Sequence, residues 1–331
     1  MVHSTDLFIL GAGFSKAVSS LMPSMSELGD ELYKLFYSGD AAHVLDFPED
    51  IELQLTYLSR NHPWLSESEN LRNRAMFLDL SRGVRQVIQD RTLKIPAGTF
   101  ANWLTDLIAY WATNQATVVT LDYDCLVEMA AQATETTIAY QAPLSPLLQR
   151  VGKMRISRGV GSNLKVNLLK LHGSVNWFYS GSDEYSGDPV YEAEPHLPAL
   201  LDPESDDSAA LEGLVPFIVP PVADKILYFQ ANVVRALWSS AAHAVQTAHR
   251  IFCLGYSLPA TDLTVRYLLS NTARKKGKTL VYVVNTDRSA PLHFEKLMPS
   301  ACVINGDFSG GKEPIAEFVT ALGSNRFKHS S

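Results

Sequence analysis

The run Leu7-Phe8-Ile9-Leu10-Gly11-Ala12-Gly13-Phe14-Ser15 decides the fold class of this chain. Its first four residues are continuously apolar, which is typical of a strand buried on both faces of a parallel sheet. Gly11 and Gly13 then permit a tight turn into a helical pattern, and such a turn also lets the backbone approach a phosphate. Lys16 stands where a full GxGxxG fingerprint has its last glycine, so the motif alone fits a structural turn as well as a nucleotide site.

Further short apolar runs repeat this pattern along the chain. They lie at Val118–Leu121, Leu168–Leu171, Ile251–Leu254, Leu280–Val284 and Cys302–Ile304. Most are followed by Gly, Asn, Asp or His and then by a helical pattern, of which the clearest covers about 232–248. This rhythm predicts an α/β fold, with a Rossmann-like parallel sheet and helices on both faces. We expect residues 1–331 to form a single domain.

Two stretches are predicted to stand outside the regular pattern. The sequence between the first two strands is helical, and we expect 24–115 to form an inserted helical subdomain. Ser24 or Ser26 is suited to cap its first helix, and a longer helix is expected through Leu71–Ile88. Residues 179–221 are rich in Gly, Ser, Asp, Glu and Pro and are predicted to be an acidic, loop-rich insertion.

The charge of the chain is unevenly distributed. Its 331 residues hold 28 Lys and Arg against 35 Asp and Glu, which gives a net charge of −7. No Lys or Arg lies between Lys170 and Lys225, whereas eleven acids fall between Asp183 and Asp224; without them 28 bases face 24 acids. The acidity therefore belongs to one segment, which we interpret as a lid or a partner contact, and it says nothing about the ligand.

Composition excludes several classes of protein. Hydrophobic residues make up 46% and charged residues 19%, which is incompatible with a disordered chain. Cys125, Cys253 and Cys302 form no CxxC pair, so a zinc ribbon, a disulfide framework and a metal are not expected. No run approaches the roughly 18 apolar residues of a membrane span, and Met1–Asp6 lacks the start of a signal peptide, so we expect a cytoplasmic protein. Without a dense basic face, direct nucleic-acid binding is not predicted.

Two acids follow the second strand, in Thr120-Leu121-Asp122-Tyr123-Asp124. One residue apart on an extended backbone, Asp122 and Asp124 project the same way, toward the crevice where doubly wound sheets bind ligands. A helix N-cap with a neighbouring acid explains the same pattern equally well. The motif is therefore a candidate site whose role the spacing alone does not decide.

A histidine leaves the third strand, in Lys170-Leu171-His172-Gly173-Ser174-Val175-Asn176-Trp177. His172 is suited to general-base chemistry because the unperturbed pKa of histidine is about 6.5. A lone histidine in such a place is more often a packed residue. Two later motifs, Leu254-Gly255-Tyr256-Ser257-Leu258 and Val283-Val284-Asn285, also place polar residues just past strands, where they either contact a ribose or cap the next helix.

Together and in this order, the motifs resemble the sirtuin superfamily. The resemblance is closer to the bacterial sirtuin-like NAD hydrolases of anti-phage defence than to the protein deacetylases. It rests on GAGFS followed by Pro23, TLDYD, KLHGSVNW, LGYSL followed by Asp262, and VVN, and spans residues 7 to about 308. The zinc-bearing cysteines of the deacetylases are missing, and the acidic insertion follows the histidine motif where their zinc module would lie.

The resemblance implies roles for individual residues. The residues expected to contact NAD+ are Gly11, Ala12, Gly13, Ser15, Gly255, Ser257 and Asn285. The first four would line the pyrophosphate and ribose, the next two a phosphate, and the last the adenosine ribose. His172 would activate water or a ribose hydroxyl, and Asp124 would hold the nicotinamide carboxamide.

Asp122 departs from the family pattern, which has Asn at this position to orient the nicotinamide ribose and the attacking water. A carboxylate lacks the amide donors, but it can favour a cationic, oxocarbenium-like transition state or act as a base. Three alternatives follow: a working variant, a weakened enzyme that still binds NAD+, or a chain inactivated by substitution at Asp122.

The resemblance implies an NAD+ glycohydrolase that releases nicotinamide and ADP-ribose, with Asp122, Asp124 and His172 as catalytic residues. NAD+ would be the substrate, and no metal would take part. The alternatives are an NAD+ or ADP-ribose binding module that acts through assembly and, third, an NAD-dependent protein deacylase. The resemblance also implies a homo-oligomer and a separate activating partner, such as a DNA-translocase-type ATPase or a short Argonaute.

Overall fold

The computed structural model of the chain describes residues 6–37, 50–96, 98–153, 164–181, 188–195, 208–223, 225–270, 279–304 and 308–324. Its strands are β1 (Asp6–Leu10), β2 (Thr117–Thr120), β3 (Thr137–Tyr140), β4 (Leu144–Pro146), β5 (Lys165–Lys170), β6 (Gly173–Tyr179), β7 (Val190–Glu192), β8 (Val215–Ile218), β9 (Arg250–Leu254), β10 (Leu280–Val284) and β11 (Cys302–Ile304). Its α-helices are α1 (Ala12–Val18), α2 (Met25–Tyr37), α3 (Ile51–Leu58), α4 (Glu67–Leu93), α5 (Asn102–Thr113), α6 (Leu126–Ala133), α7 (Asn232–Thr247), α8 (Leu263–Ser270), α9 (Ala290–Leu297) and α10 (Pro314–Gly323).

The central sheet has seven strands in the order β11-β10-β9-β1-β2-β5-β3. Every neighbouring pair in it is parallel. The chain runs outward from β1 to β2 and later returns to the other side of β1 with β9, so a topological switch point lies between β1 and β9. The predicted Rossmann-like α/β fold is confirmed.

Alternation along the strands explains why helices cover both faces. In β1, Leu7 and Ile9 belong to one buried cluster, together with residues of α2, α3, α4 and α7. Phe8 and Leu10 belong to the opposite cluster, with residues of α5, α6 and α10. Because neighbouring residues of a strand point to opposite faces, a strand enclosed on both sides has to be apolar throughout.

The helices between β1 and β2 begin at two capping boxes. The Ser24 hydroxyl accepts from the Glu27 amide while the Glu27 carboxylate accepts from the Ser24 amide, and Ser66 and Glu69 repeat the arrangement. Of the two candidate caps, Ser24 is therefore the one used.

The predicted long helix exists, but Leu71 is 64% exposed, so its buried stripe begins later, at Phe77. Helices α2, α3 and α4 pack on one another, whereas α5 packs against β5 of the sheet.

A second sheet, in the order β4-β7-β6-β8, was not predicted. Its strand β6 pairs antiparallel with β7 and β8. The described parts of 179–221 are therefore not only loop, since they contain β7 and β8. The histidine motif likewise leads into strand β6 rather than into a helix, because Gly173 adopts φ of +77° and turns the chain back.

None of the helices in the described part of the chain combines the length and the apolarity that crossing a bilayer requires. The three cysteines are free thiols; Cys125 and Cys253 are buried and Cys302 is partly exposed.

Candidate active site

The parallel register aligns the carboxyl ends of five strands. Leu10 pairs with Thr120 and Leu254, which in turn pair with Lys170 and Val284. The segments that follow these strands border one cavity of about 820 Å³. Every residue predicted from the motifs lies on its wall, namely Gly11, Ala12, Gly13, Ser15, Asp122, Asp124, His172, Gly255, Ser257 and Asn285.

The loops after β1 and β9 touch through glycines. The Gly13 amide donates to the Gly255 carbonyl at 3.0 Å, and the Gly11 amide donates to the Leu254 carbonyl at 3.2 Å. A Cβ on Gly255, where φ is +65°, would lie 2.1 Å from the Phe14 nitrogen. These glycines are therefore required first for contact between two loops, before any ligand is considered.

That contact changes the expectation for phosphate binding. The amides of Gly11, Gly13 and Phe14 all donate to protein carbonyls, the last to Gly11 at 2.7 Å. A phosphate at this turn meets fewer free N–H groups than the glycine motif implies. The hydroxyl of Ser15 also points elsewhere, toward the two acids after β2.

Ser15 joins the two aspartates across the cavity. Its Oγ lies 2.9 Å from Asp122 Oδ2 and 2.6 Å from Asp124 Oδ2. Asp124 uses its other oxygen to accept from the Leu126 amide at 3.0 Å, at the start of α6. Asp124 therefore both lines the cavity and fixes the start of α6.

The number of available protons determines the protonation state of Ser15, Asp122 and Asp124. The Ser15 hydroxyl has one proton to donate, so its second carboxyl contact needs a proton on the carboxyl itself. Removal from water and the neighbouring Asp124 raise the pKa of Asp122 to about 8. Burial also raises the pKa of Asp124, against opposing effects of Lys170, Ser15 and the Leu126 amide. At neutral pH Asp122 thus carries the shared proton and is a hydrogen-bond donor.

A buried ion pair between Lys170 and Glu128 lies next to Asp124. Lys170 is fully buried in β5; its Nζ donates to the Asp124 carbonyl and, at 2.8 Å, to Glu128 Oε1. The Tyr140 hydroxyl donates to the same carboxylate oxygen at 2.9 Å. Burial alone would lower the pKa of Lys170, but the combined attraction of Glu128, Cys125 and Asp124 outweighs it and the pKa is raised. The ammonium therefore stays charged and fixes the backbone of Asp124.

His172 presents a free ring nitrogen beside the aspartates. Its Nδ1 lies 3.1 Å from the Leu121 carbonyl, and because a carbonyl only accepts, Nδ1 carries the proton. Nε2 is buried without a hydrogen-bond partner in the described structure. Burial, followed by the nearby Lys225 ammonium, lowers the pKa of His172 to about 4. The ring is therefore neutral at physiological pH, with a lone pair available at Nε2.

The residues at the other end of the cavity are held by local hydrogen bonds. Asn285 Oδ1 accepts from the Asp287 amide at 3.0 Å, and the Ser257 carbonyl lies 2.8 Å from His293 Nδ1. These bonds fix the turns after β9 and β10. Neither bond is a cap of the following helix, and the contact of both residues with a ligand stays a prediction.

Further polar side chains line the cavity, and the sequence analysis assigned no role to them; they include Glu52, Lys225, Tyr256 and Asp262. One signal for Lys225 existed. The two lysines that bound the base-free stretch are both buried, Lys170 at 0% and Lys225 at 3% exposure. A lysine isolated beside apolar residues is an unusual candidate for the surface. Glu52 offered no comparable signal, since it is an acid near a helix start, whereas Asp262 belongs to one of the motifs that carry the family resemblance.

No protein-family model matches this chain, and no curated protein matches it. Solved structures of Sir2 proteins are similar to it along most of its length. A Sir2 homologue in complex with NAD is 18% identical, with a TM-score of 0.47, over 97% of this chain and 90% of that chain. A Sir2 homologue in complex with ADP-ribose is 16% identical, with a TM-score of 0.45, over 99% and 95% respectively. A Sir2 protein bound to an acetylated peptide is 16% identical, with a TM-score of 0.43, over 98% and 93%.

Proposed function

We propose that this protein is an NAD+ glycohydrolase, which cleaves NAD+ to nicotinamide and ADP-ribose. The observation that carries the proposal is the convergence of His172 Nε2 with Asp122 and Asp124 in one cavity whose far end is built by the loops after β9 and β10. A cavity of about 820 Å³ is in the size range of cofactor sites. The ordered sirtuin-like motifs supply the chemical class of the substrate.

The residues divide the cavity into two ends. We assign Gly255, Ser257 and Asn285 to the adenosine and phosphate end, and Gly11 to Ser15 to the centre. Asp122, Asp124 and His172 then surround the nicotinamide ribose. Among the described lining residues five are acids and only Lys225 is a cation, which suits a site where positive charge develops.

The reaction breaks the bond between the ribose anomeric carbon and the pyridinium nitrogen. The electron pair of that bond stays with nicotinamide, which leaves neutral, and positive charge develops on the ribose. The Asp124 carboxylate stabilises this charge. Water adds to the anomeric carbon and gives one proton to a neighbouring ribose hydroxyl, whose own proton passes to His172 Nε2 and is later released to solvent. The products are nicotinamide, ADP-ribose and one proton.

The proton on Asp122 compensates in part for the missing amide donors of the family asparagine. A neutral carboxyl donates one hydrogen bond, as the family asparagine does through its amide, and it adds no negative charge beside an anionic substrate. This favours the working variant among the three alternatives.

The test is to incubate the purified protein with NAD+ and to separate nicotinamide and ADP-ribose by chromatography. We expect turnover that is lost in His172→Gln. The Asp122→Asn variant restores the family residue and serves as the matched comparison. Absence of turnover in both the natural sequence and Asp122→Asn would contradict the hydrolase.

A second candidate is a binding module for NAD+ or ADP-ribose that acts through assembly. Asp122 favours it, because this carboxyl replaces the family asparagine and is hydrogen-bonded to Ser15 at 2.9 Å, so it is not free to orient an attacking water. Calorimetry that detects NAD+ binding without turnover would support this candidate, and failure to bind either compound would exclude it. Turnover only with an acylated peptide would instead indicate a deacylase.

We further propose a role in anti-phage defence by NAD+ depletion, in the cytoplasm. An enzyme that consumes NAD+ has to be inactive until needed, which requires an oligomerisation step or a separate activating partner. Size measurement of the protein alone and with the product of a neighbouring gene tests this, since an isolated monomer with full activity would contradict it.

A further inference from the structure

The wall of the cavity beside His172 carries a polar cluster that the reaction above does not use. It consists of Lys225, just before the short helix Ile226–Gln230, and Tyr256 and Asp262, after β9. The Tyr256 hydroxyl donates to Asp262 Oδ2 at 2.8 Å. The Lys225 ammonium donates to the Val222 carbonyl at 2.9 Å. Both charged residues are buried, with 3% exposure for Lys225 and 6% for Asp262.

Lys225 and Asp262 have opposite charges and lie close together, but they do not form a direct hydrogen bond. Lys225 Nζ lies 3.6 Å from Asp262 Oδ1, which is too far for a direct hydrogen bond. Asp262 Oδ1 is buried and has no hydrogen-bond partner in the described structure. His172 Nε2, on the same cavity, is buried and without a partner as well. Buried acceptors almost always have donors, so two such acceptors on one cavity indicate a ligand that supplies them.

The chemistry of these atoms selects the class of ligand group. Two acceptors and one ammonium require a group that both donates and accepts hydrogen bonds. A phosphate or a carboxylate only accepts, and at this wall it would face Asp262 and Glu52. A pair of sugar hydroxyls fits, because each hydroxyl gives one proton and accepts another. A neutral sugar diol is the group of this kind that ADP-ribose carries on its terminal ribose.

We propose that Lys225 and Asp262 form a hydroxyl-binding subsite that, with His172 Nε2, holds the sugar diol of the terminal ribose. The inference rests on the proposed function, since it takes an ADP-ribosyl compound as the ligand. Asp262 accepts from one hydroxyl, Lys225 donates to it, and Nε2 accepts from the next. Tyr256 is a positioning residue, because it holds the second oxygen of Asp262.

The subsite predicts discrimination between ADP-ribose and ADP, which differ by the terminal ribose. Calorimetry measures both affinities for the natural sequence, Asp262→Asn, Lys225→Met and the exposed control Asp79→Asn. The asparagine is nearly isosteric but turns an amide donor toward the ammonium. We expect Asp262→Asn and Lys225→Met to lose at least about tenfold in ADP-ribose affinity while ADP affinity is kept. Asp79→Asn should leave the ratio of the two affinities unchanged.

The outcomes separate the subsite from the function. A natural sequence that binds neither compound contradicts the proposed function and the subsite together. A natural sequence that binds both, with the ratio unchanged in the two variants, overturns the subsite alone. Retained ADP affinity shows that a variant is folded; if Lys225→Met does not fold, the result for Asp262→Asn decides.

Discussion

The Gly13 amide donates to the Gly255 carbonyl at 3.0 Å, so the loops after β1 and β9 meet backbone to backbone at the centre of the cavity. Neither loop has room for a side chain there. A Cβ on Gly13 would lie 2.8 Å from the Gly255 oxygen, and one on Gly255 only 2.1 Å from the Phe14 nitrogen. The contact fixes the distance between the two halves of the sheet at the point where the ligand is expected.

Gly255→Ala should therefore destabilise the protein strongly. The left-handed backbone at this position and the clash together are expected to lower the free energy of unfolding by about 3 kcal/mol or more. Gly323→Ala, at the end of α10, is the control, because a Cβ there has no neighbour within 4 Å. Urea denaturation measures both. Equal stabilities of the two variants would show that the loops separate without penalty.

Activity should fall above pH 8 in the natural sequence. Burial and Asp124 raise the pKa of Asp122 to about 8, so at higher pH the donor proton is lost and a negative charge appears. Asp122→Asn keeps its donors at every pH, and its profile should stay level in this range. The measurement is kcat/KM for NAD+ between pH 6 and 10. Parallel alkaline decreases in both proteins would assign the titration to another group.

The same carboxyl should make stability depend on pH. Between the ordinary pKa of 3.8 and about 8, the folded state holds a proton that the unfolded state has lost. Stability attributable to Asp122 therefore falls as pH rises through this window, by about 1.4 kcal/mol per pH unit. Asp122→Asn should gain stability over the natural sequence as pH increases from 4 to 8.

Asp287 provides the opposite control for that experiment. Hydrogen bonds from the Ser289 amide and hydroxyl lower the pKa of Asp287, so its stabilising effect is present above the ordinary pKa of 3.8 and is lost as pH falls below it. Asp287→Asn should therefore be less stable than the natural sequence at neutral pH. If the Asp122→Asn difference had this sign too, the Asp122 carboxyl would be ionised in the folded protein.

On acidification, activity should be lost only at an unusually low pH. Burial and Lys225 lower the pKa of His172 to about 4, so the base remains neutral down to about pH 5. Removing the cation in Lys225→Met should raise the pKa of His172, so activity should be lost at a higher pH than in the natural sequence. A histidine titration followed by NMR checks the same shift without turnover. A decrease centred near pH 6.5 in the natural sequence would mean that burial and Lys225 do not lower the pKa of His172.

Lys170→Met should be among the most destabilising single changes. It leaves the Glu128 carboxylate buried without its ion-pair partner, which costs about 3–5 kcal/mol. The double variant Lys170→Met with Glu128→Leu should recover much of that loss. Arg82→Met, which breaks an exposed pair with Asp79, should cost no more than about 1 kcal/mol. Thermal unfolding of all three variants tests the order.

The sequence reveals the central sheet because burial on both faces forces continuous apolar runs. Strand β3 was not predicted because it is an edge strand. Thr137–Tyr140 is only partly buried, so it does not need a continuous apolar run. The second sheet escapes because β4 and β7 have three residues each, too few for any periodicity. Their pairing depends on the turn at Gly173, whose positive φ the sequence does not disclose.

The site was predictable where motifs end strands. Asp122, Asp124 and His172 follow strands whose register then places them together. Lys225 and Asp262 were not predicted as a pair, because their contact depends on the packing of segments distant in the chain. Local sequence carries no information about such a distance.

The order of strands in the sheet also has a consequence for biosynthesis. One side of the cavity comes from the turn at Gly13 and the other from Gly255 and Asn285, which the ribosome adds much later. A nascent chain therefore has no complete cavity until the last third of the protein has emerged. Contacts of such high sequence separation also form late in folding. Synthesis itself then delays the appearance of a complete ligand cavity.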